Sequence, residues 1–440
     1  MSKIRVDDIV PVSGLNLGIG TASGSINITG DINATGDLHV GIDTGFFTED
    51  LVVNGDARIT GILTVGTASV TLNGNDGIIS GINTVNSISF PSTGSFSNRN
   101  IVINSAMRVA QRSTLETGVT NSGYYTIDRY RLALIGLGTW TLEQSGDAPV
   151  GFSSSFKATC TTADASPAAS DILYLQHRME AQDLQHLNFG TSAAVPMTLS
   201  FWVKSNKTGD ASFMMFQNDN SLKLFSTSYT INTADTWEYK TIAIPADTSG
   251  LINDDNGIGL TMGFWLNSGS DNTGGSHNTT WGTYIDANTN VSNLGVGGAT
   301  SDNWLITGIQ LEVGTQSTPF EHRSFGDELA RCQRYYETGN WHGMYKSSDD
   351  TMGWVNYKVT KRDNPSITSI APGGTTTNRV YYYSIDAADR GEREVNINPS
   401  SLAGGMTDFT NSFFGIISAF TPASTNDATF SGIYRADAEL

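Results

Sequence analysis

From residue 26 to residue 42, apolar and polar side chains alternate without interruption. Ile26, Ile28, Gly30, Ile32, Ala34, Gly36, Leu38, Val40 and Ile42 make one series, and Asn27, Thr29, Asp31, Asn33, Thr35, Asp37 and His39 the other. A period of two marks a half-buried β-strand. The pattern returns 25 residues later in Val53, Gly55, Ala57, Ile59, Gly61, Leu63 and Val65, and a degraded copy runs from Ile78 through Ile82 and Ile88 to Phe90. Both full copies carry Gly-Asp (Gly30-Asp31, Gly55-Asp56) with a second Gly six residues on, which is the regularity of a repeat architecture. The apolar series is small and β-branched, with no Trp or Tyr before Tyr124. One chain would bury too little area there to offset its ordering entropy. Residues 24–98 are therefore expected to form an intertwined, homotrimeric β-shaft, with Gly where chains meet closely. A flat solenoid edge within a monomer is the other reading. His39 falls in the polar series, as a solvated side chain would. Residues 1–23 lack the alternation and form a candidate docking peptide for another protein.

Beyond residue 98 short alternating runs come thickly. Strands are predicted at Tyr124–Leu134, Thr139–Gln144, Ser155–Thr161, Ile172–Glu180, Met197–Ser205, Ser212–Phe216, Trp237–Pro245, Gly257–Leu266 and Trp304–Val313. So many strands over residues 99–320 suit a central jelly-roll sandwich. Its first segment, NRNIVINSAMRVAQRST, is expected to pair with its last strand, WLITGIQLEVG, at one edge and close the module. That strand ends at a Gly-Thr-Gln-Ser-Thr-Pro break. Phe325, Leu329, Cys332 and Tyr336 then recur at helical spacing, giving a short helical joint over 321–337. Runs at Trp354–Lys361, Ser366–Ile370, Arg379–Asp386, Glu392–Asn396, Thr410–Phe420 and Thr429–Arg435 predict a C-terminal small β-sandwich over 338–440. The fold class expected is all-β.

Composition supports this and narrows the function. The chain has 440 residues, 47 of them Gly, and only 15% are charged, against about 25% in ordinary globular chains. Asp and Glu outnumber Lys and Arg by 43 to 25, for a net charge of -18. No basic patch is present to neutralise phosphates, so nucleic acid is not an expected partner. No run approaches about 18 apolar residues, and no helical membrane insertion is expected. The N-terminus, MSKIRVDDIVPVSG, has no apolar core of a secretory signal. Two cysteines, Cys160 and Cys332, are too few for a disulfide-built fold and are expected as buried free thiols.

Motifs for catalysis are missing: there is no G-x-S-x-G, no phosphate-binding P-loop and no H-E-x-x-H. The six histidines show no metal-ligand spacing, and no cofactor or metal is expected. Asn253-Asp254-Asp255-Asn256-Gly257 places oxygens in a turn but lacks the ligand spacing of a calcium loop. Sugar binding, by contrast, needs an aromatic face for the ring and planar polar groups for hydroxyls. Trp281 and Tyr284 follow a long polar loop, Ser268–Thr280, that contains Asp271, Asn272, His277 and Asn278. Long loops on a rigid sandwich are common binding elements. Trp281 could equally cap the core, and Trp202 and Trp265 sit in strands as core or interface residues would. In the C-terminal region Trp341 and Tyr382 stand among many aromatics, and in Tyr381-Tyr382-Tyr383 the rings must alternate faces. The candidate ligand-binding residues are thus Asp271, Asn272, His277, Trp281, Tyr284, Trp341 and Tyr382.

The segments DRYR (Asp128–Arg131), LYLQHRME (Leu173–Glu180), LSFWVKS (Leu199–Ser205), WLITGIQLEVGTQSTPFEHRSFGDELARCQRYYE (Trp304–Glu337) and the closing ADAEL together carry a resemblance. From about residue 100 to 440 the chain resembles phage tail-fibre and virion structural proteins, particularly of marine and cyanobacterial phages. The central region also resembles carbohydrate-binding jelly rolls, which often hold a structural calcium between opening and closing strands. Here Asn104-Ser105-Ala106-Met107 stands where an acidic ligand would be wanted. The resemblance implies a homotrimeric receptor-binding fibre on the virion tail, made in the host cytoplasm and docked through residues 1–23 to other virion proteins. Its ligand would be a host-surface polysaccharide or lipopolysaccharide, bound without catalysis. A purely structural virion appendage and a polysaccharide depolymerase or esterase spike are the alternatives.

Overall fold

The computed structural model describes residues 84–85, 88–89, 98–219, 222–347, 350–370, 379–383, 390–394, 413–419 and 429–440. Side chains are described within 98–219, 222–342, 355–368 and 433–440. The docking peptide and nearly all of the repeat, His39 included, lie outside the described residues. In the degraded third copy, β1 (Thr84–Val85) pairs antiparallel with β2 (Ile88–Ser89).

The chain is all-β, and its central part is a jelly-roll-like sandwich of two antiparallel sheets. The strands in order are β3 (Leu115–Val119), β4 (Gly123–Tyr124), β5 (Tyr130–Ile135), β6 (Thr139–Ser145), β7 (Ser155–Thr162), β8 (Ile172–Glu180), β9 (Met197–Ser205), β10 (Gly209–Gln217), β11 (Lys223–Ile231), β12 (Glu238–Ile244), β13 (Ile258–Ser268), β14 (Gly282–Thr283) and β15 (Asn303–Val313). One sheet has seven strands in the order β14-β11-β10-β13-β8-β5-β4, the other six in the order β12-β9-β15-β7-β6-β3. Alternate residues of both face inward into one core. Leu173 and Leu175 of β8, Phe213 and Met215 of β10, and Met262 and Phe264 of β13 meet Leu199, Phe201 and Val203 of β9 and Trp304 and Ile306 of β15. Burial of that apolar surface is the main force closing the sandwich.

β15 runs through the middle of its sheet and not at the expected edge, and the opening segment does pack along it. Ile101 N donates to Leu311 O (2.9 Å), Ile309 N to Ser105 O (3.0 Å), and Leu311 N to Asn100 Oδ1 (3.1 Å). Register slips between Thr307 and Gln310 at Gly308, whose φ of +63° favours glycine. A Cβ at Gly308 would also meet the Phe152 ring at 2.6 Å.

The joint is the helix α1 (Phe325–Gln333), capped by Ser324, whose side chain accepts from Asp327 N (3.2 Å). Cys332 is buried with Ile103, Val109 and Tyr335, but Phe325 is largely exposed beneath the Arg108 guanidinium and does not share the buried face expected of it. Both cysteines are buried free thiols. Beyond the helix lie β16 (Tyr336–Ser347), β17 (Asp350–Asn356), β18 (Ser366–Ile370), β19 (Arg379–Tyr383), β20 (Arg390–Glu394), β21 (Phe413–Ala419) and β22 (Thr429–Asp437). Among the described residues they form a single seven-stranded sheet, not two facing sheets. Residues 79–440 make one compact unit. Arg334 and Tyr335 Oη bond the buried Glu180 of β8 (2.9 and 2.8 Å), and Arg112 pairs with Asp437 at 3.0 Å. Within the C-terminal sheet, Lys361 and Glu337, both fully buried, pair at 2.6 Å. Such a pair is costly to break because either charge alone would be stranded.

Candidate functional site

The seven-stranded sheet departs from the rule that a solvated sheet face is polar. On β8, β10, β11 and β13 a local cluster of apolar residues interrupts the polar ones that face away from the core, among them Gln176, Ser212, Ser226, Ser228 and Thr261. Met214, Leu224 and Trp265 form a second, separate cluster, against which Ile172, Tyr174, Phe216 and Tyr284 pack. Strand register brings them side by side, since Trp265 lies opposite Tyr174 and the β10 residues face β13. The Tyr174 and Trp265 rings sit 4.5 Å apart between centroids, and Phe216 and Tyr284 sit 5.5 Å apart edge to face. Gly263 makes the close packing feasible. A Cβ there would come within 2.7 Å of Met214 Cε and 3.2 Å of Tyr174.

Trp265 forms the floor of this stripe at 2% exposure, while Tyr174, Phe216 and Tyr284 are half-buried and open to solvent along one side. The indole N–H of Trp265 and the amide Nε2 of Gln176, next along the same face of β8, have no hydrogen-bond partner among the described residues. Leaving buried donors unpaired costs about 1–3 kcal/mol each. Charges flank the rings. The Asp286 carboxylate bonds Tyr284 and its charge reaches Tyr174, as do those of Arg131, which lies opposite Gln176 in register, and Arg178. Burial, then the neighbouring Tyr174 and Asp286, pushes the Tyr284 phenol up from its ordinary value, and burial does the same at Tyr174. Both hydroxyls are therefore protonated donors at neutral pH. Partly exposed rings with flanking planar groups are the chemistry that polyhydroxylated rings require.

The residues singled out in the sequence do not converge on one point. Tyr284 belongs to the stripe. Trp281, three residues earlier, turns to the opposite side: its ring packs against Phe189 and Phe225 and its indole N–H donates to Pro245 O at 2.7 Å, so it caps the core. Asn272 is buried and braces the loop, donating to Thr289 Oγ1 (3.0 Å) close to Asp286. His277 lies 3.2 Å from Ser292 Oγ, and burial lowers its pKa. Asp271 is exposed in a short 3-10 turn and touches none of the rings in any recorded contact. Trp341 is 2% exposed in β16 and offers no ring face to solvent, which removes it from the candidates. Tyr382 pairs with Phe430 in the C-terminal sheet, and its side chain lies outside the described residues. Tyr174, Phe216, Arg131 and Asp286 were not singled out, and Trp265, expected as a core or interface residue, is buried at the floor of the stripe.

The residues present do not suit a calcium ion between the opening and closing strands. Glu312, in β15, accepts from Thr318 N (2.8 Å), Thr318 Oγ1 (2.6 Å) and Gln310 Nε2 (2.8 Å). Asn104 is likewise spent on its own turn, accepting from Arg108 N and Val109 N. Donors aimed at a carboxylate take the place that a hard cation would need. Among the described residues no group of His, Cys, Asp and Glu has the arrangement of a metal site.

No protein-family model matches the sequence, and no curated protein matches it. Among solved structures the chain is similar to the enzymatically active domain of tailspike protein 4 of bacteriophage CBA120, at 12% identity and a TM-score of 0.26, over 49% of this chain and 21% of that one. It is similar to a family 16 carbohydrate-binding module at 12% identity and a TM-score of 0.20, over 39% of this chain and 84% of that one. It is similar to TmCBM61 in complex with beta-1,4-galactotriose at 10% identity and a TM-score of 0.23, over 49% of this chain and 99% of that one. The chain thus spans about a fifth of the length of the tailspike structure. Overlaps this low carry no argument about activity, and the aromatic face stands on its own geometry.

Proposed function

We propose that the chain is a glycan-binding attachment protein of a phage virion, a non-catalytic tail fibre that grips a host-surface polysaccharide or lipopolysaccharide. The observation that carries the proposal is the aromatic stripe of Tyr174, Phe216 and Tyr284 over Trp265, with Asp286 and Arg131 at its edge. The rings supply flat apolar faces for sugar C–H groups, and the flanking groups take hydroxyls. The resemblance in sequence to tail-fibre proteins supplies the setting. In that setting residues 1–23 dock to virion proteins, and the repeat over 24–98 joins three copies. Three weak sites on one fibre then act together through high effective concentration.

Adsorption of the recombinant full chain to a panel of marine bacterial and cyanobacterial cells tests this reading. Retention through washing, lost on prior stripping of surface polysaccharide, is the expected result. Release of reducing ends or acetate from that polysaccharide would instead make the chain an enzyme. Failure to bind any cell while binding virion components would make it a structural appendage.

A further inference from the structure

A second surface of the described unit has sugar-binding chemistry and is lined by other residues than the stripe, whose edge residue Arg131 pairs in register with Tyr124 of this surface. Between the sandwich and the C-terminal sheet lies a cleft of about 420 Å³. Glu116, Tyr124 and Tyr125 line it from the sandwich, and Ser366, Thr368 and Arg435 line it from the C-terminal sheet. We propose that this cleft is a second saccharide site, specific for an uncharged sugar unit, so that each copy of the chain holds two glycan segments. The proposal rests on the glycan-binding reading above and adds a separate site to it.

The back of the cleft is fixed before any ligand arrives. The Arg112 guanidinium stacks 3.6 Å from the Tyr336 ring centroid and 5.2 Å from that of Tyr124. It is paired with Asp437 at 3.0 Å and Glu439 at 3.4 Å, and lies 3.9 Å from Asp128. Those carboxylates consume its charge, so Arg112 acts as a rigid wall and holds no anion. Tyr124 Oη is spent on Leu440 O (3.2 Å) and Tyr125 Oη on Asn121 O (2.8 Å), which leaves ring faces as what the two tyrosines offer.

Two charged groups on the rim are uncommitted. The Glu116 carboxylate and the exposed Arg435 guanidinium have no ion pair among the described residues, with each other or with any other group. One is a planar acceptor and the other a planar donor, on opposite walls. A pair of neighbouring hydroxyls, each able to give and take a hydrogen bond, satisfies both. A polyanion would face Glu116 and Asp437 and a polycation would face Arg435, so a charged ligand meets like charge whichever sign it bears. An uncharged polyol ring meets neither penalty, and the hydroxyls of Ser366 and Thr368 extend its polar contacts.

Calorimetric titration of the full chain separates this site from the stripe. The probes are short gluco-, galacto-, manno- and xylo-oligosaccharides, with an oligogalacturonate as the anionic comparison. The expected result is two equivalents of a neutral oligosaccharide bound per chain. Glu116→Gln with Arg435→Gln, two rim substitutions that leave the thermal midpoint unchanged, should remove one equivalent or weaken it about tenfold or more. Tyr174→Ala with Tyr284→Ala should remove the other. A single equivalent, lost in the stripe variant and untouched by the rim variant, would overturn the second site while leaving the glycan-binding reading intact. Equal or tighter binding of the oligogalacturonate in the cleft would overturn its assignment to uncharged sugars. No uptake of any probe would overturn both readings together.

Discussion

The two sheets of the sandwich are alike on their inner faces and unlike on their outer ones. The six-stranded sheet presents Glu143, Lys157, Thr159, Lys204 and Thr241 outward, with Lys157 pairing to Glu143 at 3.7 Å and Lys204 to Asp147 at 2.7 Å. Its outward aromatic residues are Trp202 beside Tyr239, at 5.3 Å, and Phe152, which meets Trp202 over Gly308 and packs on Phe320 at 4.9 Å. The seven-stranded sheet presents Ile172, Tyr174, Met214, Phe216 and Trp265 instead. Both faces mix polar and aromatic residues, and the seven-stranded sheet alone gathers its apolar ones into a separate packed cluster across β8, β10, β11 and β13. Within that cluster Met214 and Trp265 are buried, and Tyr174 and Phe216 are partly exposed rings. The contrast is what the proposed glycan site rests on, since the architecture alone says nothing about function.

The largest effect that can be used against this contrast is at its floor. Trp265→Ala should lower the free energy of unfolding by about 3–5 kcal/mol, while Trp202→Ala on the opposite face should cost about 1 kcal/mol or less. Urea unfolding of the two variants makes the comparison, and equal losses would mean that the stripe is no better packed than an ordinary surface. Next comes binding. Replacing Tyr174 and Tyr284 together by Ala should weaken glycan binding by about 2 kcal/mol, roughly thirtyfold, and Tyr239→Ala should leave it unchanged in the same titration.

A smaller effect comes from His177, on the inner side of the same sheet. Burial first, and the charge of Arg129 second, hold its pKa well below the ordinary 6.5. Its folded pKa is depressed, so it costs nothing above the unfolded value. As the pH falls below that value only the unfolded chain takes up the proton, and stability is lost at up to about 1.4 kcal/mol per pH unit. The acid arm of the stability profile should flatten in His177→Phe, and an unchanged slope would exclude His177 as its source. The smallest effect belongs to the polar face. Removing the half-exposed Lys157–Glu143 pair should change stability by less than about 1 kcal/mol in a double-mutant cycle.

Much of this fold was legible in the residues, for reasons that differ by element. β8 and β9 begin and end where alternation and turn residues placed them, at Ile172–Glu180 and Met197–Ser205. β11 was missed: its outward Ser226, Ser228 and Thr230 gave KLFSTSYTI the look of a polar turn. The strand expected over Tyr124–Leu134 is broken before Tyr130, where Asp128 accepts from Gln111 N and Arg129 takes a φ of +75°. These are contacts with residues far along the chain, and no local pattern encodes them. β16 was hidden by the helix before it, whose apolar spacing ran on into Tyr336.

The site was less legible than the fold. Tyr284 was found because a long polar loop precedes it. Tyr174 and Phe216 were passed over, and Trp265 was read as core or interface, because an apolar residue on the outward face of a strand has the same local pattern as one buried on both sides. Only the sheet order distinguishes them, by showing that nothing from the second sheet lies on that side. Trp281 misled for a similar reason. Its distance from Tyr284 in sequence is three residues, and only the fold sends one ring into the core and the other to the outer face.

The measurement that bears most directly on the account is binding of the full chain to an oligosaccharide array, run beside the Tyr174→Ala, Tyr284→Ala variant at matched thermal stability. The account predicts that the native chain is retained on a restricted set of glycans and that the variant loses most of that retention. Equal retention by both proteins, or none by the native chain, would contradict it.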